Sequence, residues 1–166
     1  MEYDNTNTGA LFRNNQKQTD KHPESILYNY LATPRLSVPR WYLEGAAVFM
    51  ETWMSGGIGR AQGAYDEMVF RSMVRDGAHF YGNLGIVSEG IAVDFQTGVN
   101  AYLYGARFIS YLAYQYSPEQ VIQWLKRDEG SQRYYSKQFE QVFGKRLEDA
   151  LDDWIAFEHE FQKANL

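Results

Sequence analysis

Beyond Pro39, apolar and aromatic residues recur at helical spacing along most of the chain. This pattern constrains the fold more than any other feature, because a period of about 3.6 residues places apolar side chains on one face of a helix, not of a strand. Signals such as Gly56-Gly57, Ser117-Pro118 and Gly144 divide the pattern into helix-length segments. The sequence therefore predicts a mainly α domain of about five to six helices.

The predicted helices leave one long segment without a helical pattern. The helices have approximate bounds of 40–55, 64–76, 99–116, 118–130, 131–143 and 147–163. The remaining glycine-rich segment, 77–98, is predicted to be a long loop with a short strand at 90–95. The buried stripe predicted for the second helix consists of Tyr65, Met68, Val69, Ser72 and Met73. The sequence Glu158-His159-Glu160 is predicted to lie in solvent.

The first 24 residues differ in composition from the rest of the chain. They are rich in Asn, Gln and Thr and contain little apolar material. Such a segment cannot bury enough apolar surface to offset the cost of ordering it. We therefore predict a disordered or loosely docked tail at 1–24 and a helical domain at 25–166. Residues 9–24 also resemble the opening of small phage and plasmid proteins.

Composition and charge exclude several classes of function. The chain has no cysteine, which excludes disulfides, thiol catalysis and Cys-based zinc sites. The net charge of −5 gives no attraction to nucleic acid. No apolar run approaches the length of a membrane span, and the N-terminus has no signal-peptide core. We therefore expect a cytoplasmic protein without a membrane span.

The segment from Pro39 to Trp53 resembles the second zinc-binding helix of gluzincin metallopeptidases. In that family the helix carries a Trp/Leu-x-x-Glu-Gly-x-Ala pattern, and its glutamate is the third zinc ligand. The resemblance assigns that position to Glu44. The following residue, Gly45, would leave room for another helix to pass close by.

Two later segments extend the resemblance. Residues 100–112 resemble a family helix with a Tyr-x-x-Gly pattern, here Tyr102 and Gly105. In the aminopeptidase N branch this tyrosine stabilises the oxyanion of the transition state, a role the resemblance implies for Tyr102. Residues 138–154 resemble the closing segment of peptidase MA-like domains. The three matches together imply the C-terminal part of a gluzincin domain over roughly residues 35–160.

The His-Glu-x-x-His helix of the family has no counterpart. It needs two histidines four residues apart, and this chain's three, His22, His79 and His159, do not have that spacing. We therefore expect no zinc or other cofactor in this chain, and no peptidase activity from the chain alone. Glu44 is then either a carboxylate facing an incomplete site or an ordinary surface glutamate, and Tyr102 is either an oxyanion stabiliser or a packing residue.

Two functional interpretations follow. The first is a truncated or degenerate gluzincin metallopeptidase-like domain, that is, a pseudoenzyme related to a family of hydrolases. The second is a small helical interaction module of a phage or mobile element that binds a peptide or protein partner through an aromatic groove. Without the missing helix, an apolar groove is expected on the first helix, where two copies would associate unless residues 25–36 cover it. Its expected lining residues are Trp41, Ala47, Met50 and Met54.

Overall fold

The computed structural model describes residues 38–82, 99–126, 130–132 and 134–166. Within these ranges the chain forms six α-helices, one 3-10 helix and no strand. The helices are α1 (Arg40–Met54), the 3-10 helix (Arg60–Gln62), α2 (Ala64–Arg75), α3 (Asn100–Gln115), α4 (Pro118–Leu125), α5 (Tyr135–Phe143) and α6 (Leu147–Ala164). The mainly α prediction is confirmed for these residues. The predicted tail at 1–24, the covering segment at 25–36 and the strand at 90–95 lie outside them.

None of the helices in this part of the chain combines the length and the hydropathy that a bilayer crossing requires.

Two glycines bring α1 and α3 into backbone contact. A Cβ added at Gly45 would lie 2.3 Å from the carbonyl carbon of Gly105. A Cβ added at Gly105 would lie 2.2 Å from the backbone oxygen of Trp41. Only glycine permits this approach, because any side chain would displace the facing backbone. The expectation that Gly45 leaves room for a neighbouring helix is confirmed.

A cluster of aromatic rings around Trp41 joins the N-terminal end of α1 to α3, α4 and α5. The ring of Trp41 lies 5.7 Å from Phe108, 6.3 Å from Tyr135 and 6.4 Å from Trp124, centroid to centroid. Trp41 is almost fully buried, and these ring contacts place it in the core of the domain. The sequence pattern could not distinguish the two faces of α1, since large apolar residues lie on both.

The remaining residues of the expected groove have mixed environments. Ala47 and Met54 are exposed, whereas Met50 is partly buried against the core. Exposed apolar side chains on α1 are Leu43 in its first turn and Trp53 and Met54 at its C-terminal end.

The ends of α4 and α5 depend on side-chain hydrogen bonds. Ser117 caps α4 by accepting a hydrogen bond from the Gln120 amide at 3.2 Å, as the sequence predicts. By contrast, α5 begins at Tyr135 rather than at residue 131. The buried side chain of Gln138 accepts from the Gln132 amide at 2.6 Å and donates to the Gln123 carbonyl at 3.3 Å. Just before α5, these side-chain hydrogen bonds replace the backbone hydrogen bonds that a longer helix would make.

The buried face of α2 differs from the predicted stripe. Tyr65 and Met68 are exposed, while Asp66 and Phe70 are almost fully buried. The prediction was wrong at Tyr65 and Met68, whereas Val69 and Met73 pack against the core as predicted; it left out Asp66 because a carboxylate is usually a solvent-facing group. Asp66 instead pairs with Arg60, and Phe70, one turn later on the same helix face, packs against Tyr104 and Trp154.

The phenol of Tyr135 makes stability depend on pH at the alkaline end. Burial, with Glu148 nearby, raises the pKa of the Tyr135 hydroxyl above its usual value of about 10. The folded state then holds this proton more tightly than the unfolded state, so the contribution is complete below about pH 10 and is lost as the pH rises toward the folded pKa.

We expect wild type to lose free energy of unfolding between about pH 9 and pH 11 more steeply than Tyr135→Phe does. Urea denaturation across that range measures both slopes. Parallel curves for the two proteins would contradict the assignment.

Candidate functional site

Glu44 and Tyr102 both contact the side chain of Arg40. The Nε atom of Arg40 donates to Oε1 of Glu44 at 3.3 Å, one helical turn along α1. The Cζ atom of Arg40 lies 5.6 Å from the centroid of the Tyr102 ring on α3. The side chains that the gluzincin resemblance singled out therefore meet at one guanidinium group. Glu44 is about a quarter exposed, at 28% of its side-chain surface, so solvent reaches it.

A second guanidinium group lies against the same tyrosine. The Cζ atom of Arg60 is 5.4 Å from the Tyr102 ring centroid. Its Nε atom donates to both carboxylate oxygens of Asp66 at 3.2 Å. Because the Asp66 side chain is only 2% exposed, Arg60 is held by a carboxylate that water barely reaches. Two arginines are thus gathered at one phenol ring, and within the described ranges Glu44 pairs with Arg40 and Asp66 with Arg60.

Sequence reasoning missed Arg40, Arg60 and Asp66 as members of this cluster. The signal for Arg40 was present, since Arg40 and Glu44 have the i, i+4 spacing of helical ion pairs. Arg60 and Asp66 gave no comparable signal, because they lie six residues apart on two elements, the 3-10 helix and α2, and so lack the spacing of helical ion pairs. The 3-10 helix is tied to α1 by Thr52, whose hydroxyl donates to the Val48 carbonyl and accepts from the Ala61 amide at 3.0 Å.

The cluster does not fit the zinc ion that the resemblance implies. Among the described residues, no three or more His, Cys, Asp or Glu side chains are grouped so as to hold a metal ion. The carboxylate of Glu44 is instead engaged by Arg40. The ring of His159 lies 4.4 Å from that of Phe80, centroid to centroid, and His79 lies beside Tyr81. His22 lies outside the described residues. The cluster as described is an ion-pair and cation–π assembly.

A second polar cluster is buried between α2, α3 and α6. Arg107 donates to both oxygens of Glu158, at 2.5 Å and 3.3 Å. Gln162 donates to Glu158 at 2.7 Å and accepts from Arg71 at 3.3 Å. Glu158 and Gln162 are almost fully buried, so the prediction that Glu158 lies in solvent was wrong. A single sequence could not reveal its partner, which lies 51 positions away on α3.

A cavity of about 310 Å³ lies at the C-terminal end of α1. Its lining comes from α1, the turn that follows it, the 3-10 helix, α3 and the start of α4. The lining residues are Phe49, Thr52, Trp53, Gly57, Ala61, Gln62, Ser110, Ala113, Tyr114 and Pro118. Trp53 and Tyr114 are 43% and 77% exposed. This is an aromatic, uncharged opening with a small number of polar groups, as in many ligand sites.

Comparisons of this chain with known protein families, with curated proteins and with solved structures found no match.

Proposed function

We propose that the chain is a truncated or degenerate gluzincin metallopeptidase-like domain that is catalytically inactive by itself. One observation carries the proposal. The helix with the Glu-Gly pair and the helix with the Tyr-x-x-Gly pattern cross at their glycines, and Glu44 and Tyr102 both contact Arg40. In a peptidase of this class a carboxylate and a phenol face one reacting centre. Here an arginine lies between them.

We expect the full-length chain, dialysed against trace zinc, to retain much less than one zinc per molecule and to hydrolyse a mixture of fluorogenic peptides no faster than the blank. The reason is that Glu44 is a single carboxylate already paired with Arg40. Elemental analysis and fluorescence measure the two quantities. Zinc-stimulated hydrolysis that Glu44→Gln abolishes would overturn the proposal of inactivity.

An engineered variant supplies the positive control. In the variant Arg40→His/Tyr102→His, two imidazoles should approach the Glu44 carboxylate. The reason is that in the unchanged chain the side chain of Arg40 contacts both Glu44 and Tyr102. Three such ligands suffice for zinc. This variant should bind close to one zinc, and adding Glu44→Gln should abolish binding while circular dichroism stays unchanged. Equal zinc contents with and without Glu44 would remove the support for a converging site.

A second candidate function is favoured by a different observation. The aromatic cavity at the end of α1 lies beside an exposed apolar surface that includes Met54 and Ile58. Contiguous exposed apolar residues beside a cavity are typical of binding surfaces. We propose that this side of the domain serves as an interaction module for a peptide or protein partner.

A further inference from the structure

The hydrogen-bonding groups around the aromatic cavity define what it can hold. Thr52 is fully engaged, since its hydroxyl donates to the Val48 carbonyl and accepts from the Ala61 amide. By contrast, the Trp53 indole, the Tyr114 hydroxyl and the Ser110 hydroxyl make no hydrogen bond among the described residues. The Trp53 indole can only donate, and the two hydroxyls can donate or accept. The cavity therefore offers several donors on an apolar wall.

The electrostatics of the cavity favour an uncharged occupant with a basic flank. No Asp, Glu, Lys or Arg side chain is among the described residues that line it. The exposed carboxylate of Glu119 follows the lining residue Pro118, and the chain as a whole carries a net charge of −5. A ligand segment inside the cavity should thus be uncharged, while a positive charge just outside it would be attracted.

We propose that the aromatic cavity binds an extended, proline-containing peptide segment of a partner protein, with a basic residue beside the prolines. Prolyl rings pack flat on Trp53 and Tyr114, and the polyproline II backbone presents carbonyl groups that have no internal partner. The Trp53 indole N–H and the Tyr114 hydroxyl supply donors to those carbonyls. The preformed conformation of such a peptide also lowers the entropy lost on binding. The inference rests on the interaction-module proposal and is independent of the peptidase resemblance.

The four tryptophans supply a site-specific readout. Trp41, Trp124 and Trp154 are almost fully buried, whereas Trp53 is 43% exposed. The probe is an acetylated, amidated ten-residue peptide of alternating proline and leucine that ends in arginine. Titrated into the full chain at up to about millimolar concentration, it should shift the indole N–H signal of Trp53 and leave the other three in place. Substitution Trp53→Phe assigns the signal.

Matched variants and probes make the outcome decisive. Tyr114→Ala should raise the dissociation constant about tenfold or more, since exposed aromatic anchors dominate such contacts. Tyr65→Ala, at an exposed tyrosine on α2 outside the cavity, should leave it unchanged. Replacing every proline of the probe by alanine, or its arginine by glutamate, should weaken binding. Equal binding by the alanine peptide, or a Trp53 shift that Tyr114→Ala leaves unaltered, overturns the proposal.

Two further outcomes would assign the cavity to another occupant. If acrylamide fails to quench Trp53 in the free chain at every concentration, the cavity is covered by the chain's own residues, and the proposal fails. If acrylamide quenching of Trp53 falls only as the protein concentration rises, a second copy of the chain occupies the cavity, and the proposal fails as well. Neither result bears on zinc content or hydrolysis, because Trp53 lies outside the Arg40 cluster.

Discussion

Replacing Gly105 by alanine should destabilise the domain by about 2–3 kcal/mol, although the substitution improves helix propensity by about 1 kcal/mol. The added Cβ would lie 2.2 Å from the Trp41 oxygen and 2.9 Å from the Gly45 Cα. Both obstacles are backbone atoms, so no side-chain rotation relieves the clash and α1 must move away from α3. The aromatic contacts of Trp41 with Phe108 would open in consequence. Urea denaturation gives the free energy of unfolding.

The matched control is Gly82→Ala. Its added Cβ would meet nothing within 4 Å, so we expect a change of less than about 0.5 kcal/mol. Gly45→Ala should resemble Gly105→Ala, since its Cβ would lie 2.3 Å from Gly105. The double variant should cost less than the sum of the two, because one separation of the helices relieves both clashes. Equal stability of the alanine variants at positions 82 and 105 would mean that α1 and α3 are not in backbone contact.

The parts of the fold that sequence reasoning predicted correctly depend on local signals. The Gly45 expectation and the Ser117 cap succeeded because each rests on one residue type at one place in a helix. The burial of Ala101, Tyr104 and Phe108 on α3 also follows a local signal, since these residues repeat at helical spacing.

The failures share a different physical cause. Asp66 and Glu158 are carboxylates that became buried because an arginine neutralises each of them, six residues away for Asp66 and 51 residues away for Glu158. A single sequence assigns a carboxylate to solvent unless its partner is known, and both partners come from other elements. For the same reason the candidate site was foreseen only as Glu44 and Tyr102. The two arginines that contact Tyr102 come from α1 and the 3-10 helix, and only the packing of these elements beside α3 brings them to the tyrosine.

Arg107→Met should destabilise the domain by about 3–5 kcal/mol, the largest loss that we expect from one side chain. Methionine keeps a long apolar side chain at this position, so the change removes mainly the guanidinium group, whose Cζ lies 5.9 Å from the Phe70 ring centroid and 5.7 Å from that of Phe161. Glu158 would then be a buried carboxylate with Gln162 as its remaining donor among the described residues. An unpaired charge in that position costs far more than a lost surface pair.

Two controls separate the charge from the packing. Lys163→Met breaks the pair with Glu160 on the same helix, but those side chains are 59% and 76% exposed, so the loss should be small beside that of Arg107→Met. The double variant Arg107→Met/Glu158→Leu should recover most of the stability lost by Arg107→Met, because it removes the stranded carboxylate. If the double variant were as unstable as Arg107→Met, the loss would come from packing around Phe70, and the ion pair between α3 and α6 would contribute little.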